Sequence, residues 1–275
     1  MAPTWCRSIS KGRNRGWRFA AAAVAFACAA GAAAQGGPRP ADTLRFPFVA
    51  AISRSPDGTA ADRVYFCSGA LVAPQWILTA AHCFRNTRGQ PIATLGLWAE
   101  VGASWLKDVP EAAQVRVERI IVHPNYDPES QENDLALVRL DRIVGPLIAD
   151  LAPPAPRADP AGATVLGFGS FYEGRLAANA LSPGGMPASQ VSDRLREASV
   201  RLVGCTPGDD RRICATGAPA EACIGDSGGP LIVEGPDRLA GILSFGSGCA
   251  VGEPVAVYTR VSAYSAWIAE TIAAR

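Results

Sequence analysis

The sequence contains little lysine and almost no excess of charge, and both shortages narrow the classes of protein that it can encode. Lys11 and Lys107 are the only lysines among 26 basic residues, and the formal net charge is +1. Nucleic-acid-binding domains usually carry a basic stripe or patch, and no such stripe with interleaved aromatic residues occurs here. We therefore expect no nucleic acid as a partner. Scarce lysine together with abundant alanine suggests a bacterial genome rich in G and C.

Histidine is also scarce, which limits both metal binding and acid–base chemistry. The sequence holds two histidines, His82 and His123, and no cysteines in a Cys-x-x-Cys pair, a common zinc-binding spacing. We predict no metal site and no cofactor. Asp127, Glu129 and Glu132 lie close together and could ligate calcium, but we interpret them as solvated side chains.

Long hydrophobic runs are missing except near the N-terminus. Five Arg or Lys residues precede an apolar stretch at residues 19–34, which ends in three alanines. These are the features of a cleaved export signal, whereas a membrane span needs about 20 strongly apolar residues. We predict a signal peptide at residues 1–34, a secreted or periplasmic mature chain, and no membrane contact afterwards. The alternatives are a membrane anchor and a lipoprotein attached at Cys28.

Export changes the interpretation of the cysteines. Cys6 and Cys28 would leave with the signal peptide, so six of the eight cysteines remain. An even number in an exported chain is typical of disulfide-bonded proteins, and we expect three disulfides. The six are Cys67, Cys83, Cys205, Cys214, Cys223 and Cys249.

The mature part of the sequence predicts an all-β fold with a helix at its end. Short runs rich in Val, Ile and Leu alternate with Gly, Pro, Asp and Asn. Clear examples are residues 48–52, 76–79, 115–122, 135–140, 163–166, 200–203, 231–233 and 239–244. From residue 261 to 274 the apolar residues recur at helical spacing. Residues 151–161 are a candidate crossing between two half-domains, and residues 176–190 a long surface loop.

Ser227 is the candidate nucleophile. Its run is Gly225-Asp226-Ser227-Gly228-Gly229-Pro230, in which small neighbours leave the hydroxyl accessible. A Gly-x-Ser-x-Gly pattern also occurs at the nucleophile elbow of α/β-hydrolases, but that fold needs a histidine after the serine. Both histidines precede Ser227. A hydrolase that uses this serine must therefore follow the order His, Asp, Ser.

The general base is then His82 or His123. His82 ends a predicted strand and precedes Cys83, whereas His123 is followed by the proline that ends its strand. We favour His82 and interpret His123 as structural or solvated. Asp134 opens an apolar strand, where a carboxylate is costly unless it has partners. We predict that it accepts a hydrogen bond from the imidazole.

These motifs resemble the trypsin/chymotrypsin family of serine peptidases. The resemblance covers nearly the whole mature chain, residues 46–275, and depends on four stretches in the family's order and spacing. They are Ser68-Gly69-Ala70-Leu71 through Thr79-Ala80-Ala81-His82-Cys83; Val122-His123-Pro124-Asn125-Tyr126 with Asn133-Asp134-Leu135-Ala136-Leu137; Gly225-Asp226-Ser227-Gly228-Gly229-Pro230; and Val257-Tyr258-Thr259-Arg260-Val261.

The resemblance implies a chymotrypsin-type fold: two six-stranded antiparallel β-barrels, a C-terminal helix, and an active site in the cleft between the barrels. The peptidase domain would be residues 35–275, with the first barrel at about 46–150 and the second at about 161–260. The closing helix would be at about 261–274. The implied disulfides are Cys67–Cys83, Cys205–Cys214 and Cys223–Cys249.

The resemblance also implies a role for each site residue. His82 would be the general base and then the general acid, Asp134 would orient it, and Ser227 would form an acyl-enzyme. The N–H groups of Gly225 and Ser227 would form the oxyanion hole. Ser244 would help to hold Asp134. The edge segment that pairs with extended substrate would consist of Ser244, Phe245 and Gly246.

The specificity pocket departs from the trypsin pattern. Glu221 lies six residues before the serine, at the position of the pocket base, where trypsin-like members carry aspartate. Ala256 replaces a glycine of the open pocket, while Gly246 is retained, so the pocket should be shallower. We predict cleavage after Arg or Lys, because a carboxylate pairs with their charge. The alternative is a small or polar residue, with Glu221 bonded inside the protein.

The N-terminal region also departs from the family. Family members are usually cut after a basic residue, and the new ammonium pairs with the aspartate before the serine, here Asp226. No basic residue stands just ahead of Gly36-Gly37, and the family's new terminus falls near Gln35, where signal peptidase would cut. We predict that export itself creates the activating terminus. Glutamine argues against this, because it lacks an apolar side chain and can cyclise.

Three classes of function remain after this reasoning. The preferred one is an active endopeptidase acting on a protein or peptide substrate. The others are a peptidase-shaped binding or regulatory protein without turnover, and an esterase or other acyl hydrolase. We expect a monomer, with a protein inhibitor as a further candidate partner.

Overall fold

The structure is a computed structural model that describes most of the chain from residue 39 onward. The described residues are 39–59, 62–86, 89–107, 109–145, 147–153, 162–169, 193–206, 208–217, 226–233, 237–246 and 255–274. Several predicted features lie outside them and stay predictions. These are the signal peptide, most of the crossing at 151–161, the loop at 176–190, Glu221, Cys223, Gly225 and Cys249.

Thirteen strands occur within the described residues. They are β1 (Arg39–Pro40), β2 (Val49–Arg54), β3 (Val64–Ala73), β4 (Trp76–Thr79), β5 (Leu97–Val101), β6 (Gln114–Val122), β7 (Ala136–Leu140), β8 (Ala163–Gly167), β9 (Arg196–Val203), β10 (Arg212–Thr216), β11 (Pro230–Val233), β12 (Arg238–Gly246) and β13 (Ala256–Arg260).

The first six-stranded barrel closes in the order β2-β3-β4-β7-β6-β5, and all its pairings are antiparallel. In β6 the buried Val115 and Val117 alternate with the exposed Arg116 and Glu118, as expected for a strand with one face towards the core. The whole of β5 is buried. Part of its cover is the guanidinium of Arg116, which lies 4.4 Å from the ring of Trp98.

The second barrel closes in the order β8-β9-β10-β13-β12-β11, because β8 pairs with both β9 and β11. The short strand β1 extends this sheet along β9, where Arg39 pairs with Glu197 and forms an ion pair of 2.6 Å. Both barrels are antiparallel, so the predicted chymotrypsin-type fold is confirmed.

The described helices are short. One-turn 3-10 helices span His82–Phe84, Glu111–Ala113 and Val261–Tyr264, and the last continues into helix α1 (Ser265–Ala273). The predicted closing helix therefore begins as a 3-10 turn. Its buried Tyr264 and Ile268 join a hydrophobic core shared with the first barrel. Among the described residues, no helix has the length and apolar character needed to cross a bilayer.

Two of the three predicted disulfides are confirmed. Cys67–Cys83 joins β3 to the one-turn helix that contains His82, and Cys205–Cys214 joins the segment after β9 to β10. The first of these bonds closes a loop of 16 residues. It fixes the backbone beside His82, because its second cysteine is the next residue.

Candidate active site

His82 lies where the first barrel faces the second. It begins the one-turn helix after β4, with Cys83 and Phe84 buried beneath it. Its side chain is 24% exposed, so the ring has one edge in the protein and another open to the cleft. The Nδ1 atom lies 2.8 Å from Asp134 Oδ2. A carboxylate there accepts a hydrogen, so Nδ1 carries the proton and Nε2 is left as the free acceptor.

Asp134 is fully buried and accepts hydrogen bonds from both barrels. Its Oδ1 accepts the backbone N–H of His82 at 2.9 Å, and its Oδ2 accepts His82 Nδ1–H and the Ser244 hydroxyl, the latter at 2.5 Å. The Thr259 hydroxyl donates to the Asp134 carbonyl at 3.1 Å. These donors meet the requirement predicted from the sequence, namely that a buried carboxylate needs partners.

Ser227 lies on a loop of the second barrel that docks against the first. Its carbonyl accepts the Ser68 N–H at 2.8 Å, and the Gly228 N–H donates to the Leu243 carbonyl at 2.9 Å. A Cβ atom at Gly228 would overlap the Thr79 hydroxyl and the Ser68 carbonyl, and its φ is 79°. Only glycine fits this close approach, which brings the serine loop against the strand that leads to His82.

Ser227 and His82 both belong to the described part of the chain, and no hydrogen bond joins them there. Such bonds between nucleophile and base are often long without substrate. Of the predicted triad, His82 and Asp134 are in contact. The Ser227 loop docks on Ser68 and Thr79, and Thr79 ends the strand that precedes His82.

Comparison with known proteins agrees with this geometry. The trypsin family profile matches residues 35–268. The chain belongs to the trypsin family. It is 32% identical to Serine protease 56 of Mus musculus and 34% identical to Serine protease 56 of Homo sapiens, over 220 residues that cover 76% of this chain and 35% of each relative. It is 33% identical to Coagulation factor XII of Sus scrofa over 224 residues, which cover 74% of this chain and 35% of that protein.

These trypsin-family relatives are longer than this chain, which spans about a third of their length. They are also mammalian, and the bacterial origin suggested by composition stays a prediction.

Asp226 is a second buried carboxylate of the trypsin-family site, one residue before Ser227. It is 8% exposed and accepts the Gly169 N–H at 2.8 Å. A Cβ atom at Gly167 or Gly169 would collide with its carboxylate, so two glycines make the space that it occupies. Burial raises the pKa of Asp226 to about 6, against the smaller lowering effect of the Gly169 hydrogen bond. Within the described residues no basic side chain forms an ion pair with it.

The proposed substrate edge lies at the end of β12. Ser244 is buried, Phe245 is half-buried and Gly246 is exposed. Phe245 and Gly246 pair with β13 at Val257 and Ala256, whereas β11 pairs with β12 only up to residue 242. Leu243 still exchanges backbone hydrogen bonds with Gly228 and Gly229 at 2.9 Å. Within the described residues, the unpaired part of that edge of β12 therefore begins at Ser244. An extended peptide can add to such an edge through main-chain hydrogen bonds.

Several residues of the site were not predicted from the sequence. Ser68 supplies the backbone donor to Ser227, Thr79 binds the Ser68 carbonyl at 2.7 Å, and Thr259 binds the backbone of Asp134. Gly167 and Gly169 form the wall beside Asp226. Ser68, Thr79 and Thr259 lie inside the family motifs, which was a usable signal. Gly167 is the last residue of β8 and Gly169 follows it by two residues. No local pattern there indicates that Asp226 is their neighbour.

The metal and calcium alternatives can be placed on the structure. Cys67, His82 and Cys83 bring their ligand atoms within 4.8 Å of one another, but the two sulfurs form a disulfide and are not thiolates. Asp127 accepts the Glu129 N–H and the Ser130 hydroxyl at 2.9 and 2.7 Å. Its carboxylate is therefore engaged within its own loop, and these bonds lower its pKa.

The raised pKa of Asp226 predicts how the free energy of unfolding depends on pH. The test uses the uncleaved chain, which begins at Met1, and carries Ser227→Ala to prevent self-cleavage. Because the folded pKa of about 6 exceeds the ordinary 3.8, folding favours the protonated form. The protonated carboxyl therefore adds about 3 kcal/mol to the free energy of unfolding, by linkage. This stabilisation is fully present below about pH 4 and is lost as the pH rises through about 6. Urea unfolding at pH 4 and pH 7 measures it. Asp226→Asn in the same chain should remove this part of the pH dependence, and equal pH slopes for both chains would contradict the assignment.

Proposed function

We propose that the protein is a secreted serine endopeptidase whose triad is His82, Asp134 and Ser227. The observation that carries the proposal is the fully buried Asp134, whose carboxylate accepts His82 Nδ1–H at 2.8 Å. This bond leaves His82 Nε2, which lies 4.0 Å from Cys83 Sγ, as the unprotonated ring nitrogen that is proposed to act as the base. The two sulfurs beside it form a disulfide, a bond that persists mainly in exported proteins.

The chemistry follows from the protonation states of these groups. His82 Nε2 takes the Ser227 hydroxyl proton as Oγ attacks the peptide carbonyl, and the imidazolium that forms is stabilised by the Asp134 carboxylate. His82 then gives the proton to the leaving amine, and water hydrolyses the acyl-enzyme by the same steps. The N–H groups of Gly225 and Ser227 are proposed to bind the oxyanion, and one such donor contributes about 3 kcal/mol.

Substrate selection is proposed to depend on the β12 edge and on Glu221. The backbone of an extended peptide pairs with Ser244–Gly246, and the side chain before the scissile bond enters the pocket whose base is Glu221. Ala256 pairs with Gly246 at the end of this strand pair, so its methyl group reduces the pocket relative to glycine. The proposed substrates are proteins or peptides with Arg or Lys before the cleaved bond.

Activation is proposed to need a cation at Asp226, supplied by the mature N-terminus. Pro40 pairs with Arg196, and Arg196 pairs with Gly167, whose Cα backs onto Asp226. Two strand spacings therefore separate Pro40 from Gly167, a distance of about 10 Å. An extended chain advances about 3.3 Å per residue. About three residues span this distance, so a terminus at residue 37 or earlier has the reach from Pro40. Cleavage after residue 34 would give Gln35, four residues before Arg39.

The nucleophile can be tested by covalent labelling. A fluorophosphonate probe should label the mature protein at Ser227, and Ser227→Ala should abolish labelling and lower kcat on peptide substrates by about 10⁶-fold. Ser199→Ala, at an exposed serine on β9, is the matched control. Absent labelling of the control and native proteins would indicate a binding protein. Labelling with ester turnover but no peptide cleavage would indicate an acyl hydrolase.

The specificity proposal can be tested with amide substrates that differ only in the residue before the scissile bond. We expect Arg and Lys substrates to be cleaved faster than Ala and Phe substrates. Glu221→Gln should lower kcat/KM for the basic substrates by about 100-fold, since loss of a buried charge pair costs about 2–5 kcal/mol. Glu111→Gln is the control at an exposed acid away from the site. No rate advantage for basic substrates in the native enzyme would exclude this preference.

The activation proposal can be tested by sequencing the N-terminus of the active, exported protein. We expect a free terminus at residue 35 or 36, where the export signal ends, and no later than residue 37, because shorter chains lack the reach to Asp226. A start at or after residue 38, or a cyclised terminus on fully active enzyme, would overturn it.

A further inference from the structure

His123 belongs to the motif at residues 122–126 but has no part in the proposed reaction. In the structure its imidazole ring meets two aromatic rings from the C-terminal helical segment. The ring of Tyr264 lies edge-on at 5.2 Å between centroids, and the ring of Trp267 at 4.9 Å. His123 Nδ1 accepts the Asn125 N–H at 3.3 Å. We call His123, Tyr264 and Trp267 the aromatic clamp.

The loop that begins at His123 ends at Asp134, and its two ends are bonded together. The His123 N–H donates to the Leu135 carbonyl at 2.9 Å. The Asn133 side chain donates to the Asn125 carbonyl at 2.8 Å. Asn133, which precedes Asp134, is therefore bonded to Asn125, whose N–H donates to the His123 ring.

Asn133 directly precedes Asp134 in the chain. Its φ is 54°, a left-handed conformation that asparagine tolerates better than most residues. Its side-chain oxygen accepts the Tyr264 hydroxyl at 3.0 Å. Tyr264 thus contacts both ends of the loop: its ring packs on His123 and its hydroxyl holds Asn133.

We propose that the aromatic clamp positions Asp134 against His82, with His123 and Tyr264 as positioning residues that act through Asn125 and Asn133. This proposal rests on the proposed function, since it assigns the clamp a role in that reaction. The physical reason is that orientation of catalytic groups is sensitive to displacements of about 1 Å, which can change rates about 100-fold. The C-terminal helix contributes to catalysis through this contact, although none of its residues touches the reacting atoms.

The clamp requires a neutral His123. Nδ1 is a hydrogen-bond acceptor here, and a protonated ring would present N–H to the Asn125 N–H instead. Burial, and secondarily the charge of Arg211, lower the pKa of His123. Four charged groups also act on Tyr264. Arg211 and Arg212 lower its pKa, and Asp209 and Glu132 raise it. The clamp is therefore intact above the lowered pKa of His123 and lost as the pH falls through it.

Two variants separate the parts of the clamp. His123→Phe keeps a ring but removes the acceptor, and Tyr264→Phe removes only the hydroxyl that holds Asn133. Glu270→Gln, at an exposed position of α1, is the control. For His123→Phe and Tyr264→Phe we expect kcat to fall about tenfold at pH 8 with KM unchanged within twofold. For His123→Phe the ratio to native kcat should approach one as the pH falls, because the native clamp is then also lost.

A second measurement does not depend on turnover. In the Ser227→Ala background, the proton NMR resonance of His82 Nδ1–H reports its hydrogen bond to Asp134. We expect His123→Phe and Tyr264→Phe to shift or broaden this resonance while circular dichroism stays native, and Glu270→Gln to leave it unchanged. A lower Tm with native kcat and an unshifted resonance would show that the clamp only stabilises the fold, and would overturn the proposal. If the native protein shows no turnover, the proposed function is contradicted. The clamp proposal is then still tested, because the resonance does not depend on turnover.

Discussion

The buried carboxylate of Asp134 is the constraint on which the rest of the site depends. An unpaired charge in this position would be strongly unfavourable, so donors must be supplied from every side. The His82 backbone and ring donate from the first barrel, and the Ser244 and Thr259 hydroxyls reach the carboxylate and the carbonyl from the second. Separating the barrels would remove the donors of the second. Contact between the barrels and orientation of the imidazole are therefore maintained by the same group.

Asp226 shows what happens to a carboxylate nearby that lacks such compensation. It is almost as buried as Asp134, but the described residues give it one backbone donor from Gly169, and burial raises its pKa to about 6. Its ionised form is therefore unfavourable there, and the proposed N-terminal ammonium would compensate its charge. The next residue is Ser227, so a change of charge at Asp226 would occur directly beside the proposed nucleophile. One carboxylate thus holds the His82 imidazole, while the other lies beside the serine loop with far fewer donors.

The sequence predicted the parts of the fold and of the candidate site that depend on residue type and chain order. Ser227 in its glycine-rich run, with both histidines earlier in the chain, indicated His82 and Asp134 as its proposed partners. The apolar runs with turn residues between them indicated an all-β fold, and the family resemblance supplied the two β-barrels. The contacts between distant residues could not be obtained in this way. Tyr264 lies 131 residues from Asn133, and no local pattern indicates that their side chains meet. Such pairings are fixed only when the barrels and the closing helix pack together.

The departures from local preference nevertheless cluster around the site. Among the described residues only Gln131 and Asn133 adopt a positive φ without being glycine, and both lie within three residues of Asp134. Gly167 ends a strand, where glycine is disfavoured, and a larger residue there would occupy the space of the Asp226 carboxylate. Each of these residues costs local stability that the surrounding packing must offset. Gln131 and Asn133 lie beside Asp134, and Gly167 lies beside Asp226. The unfavourable local conformations are therefore concentrated around the two buried carboxylates, whose orientation the protein must fix.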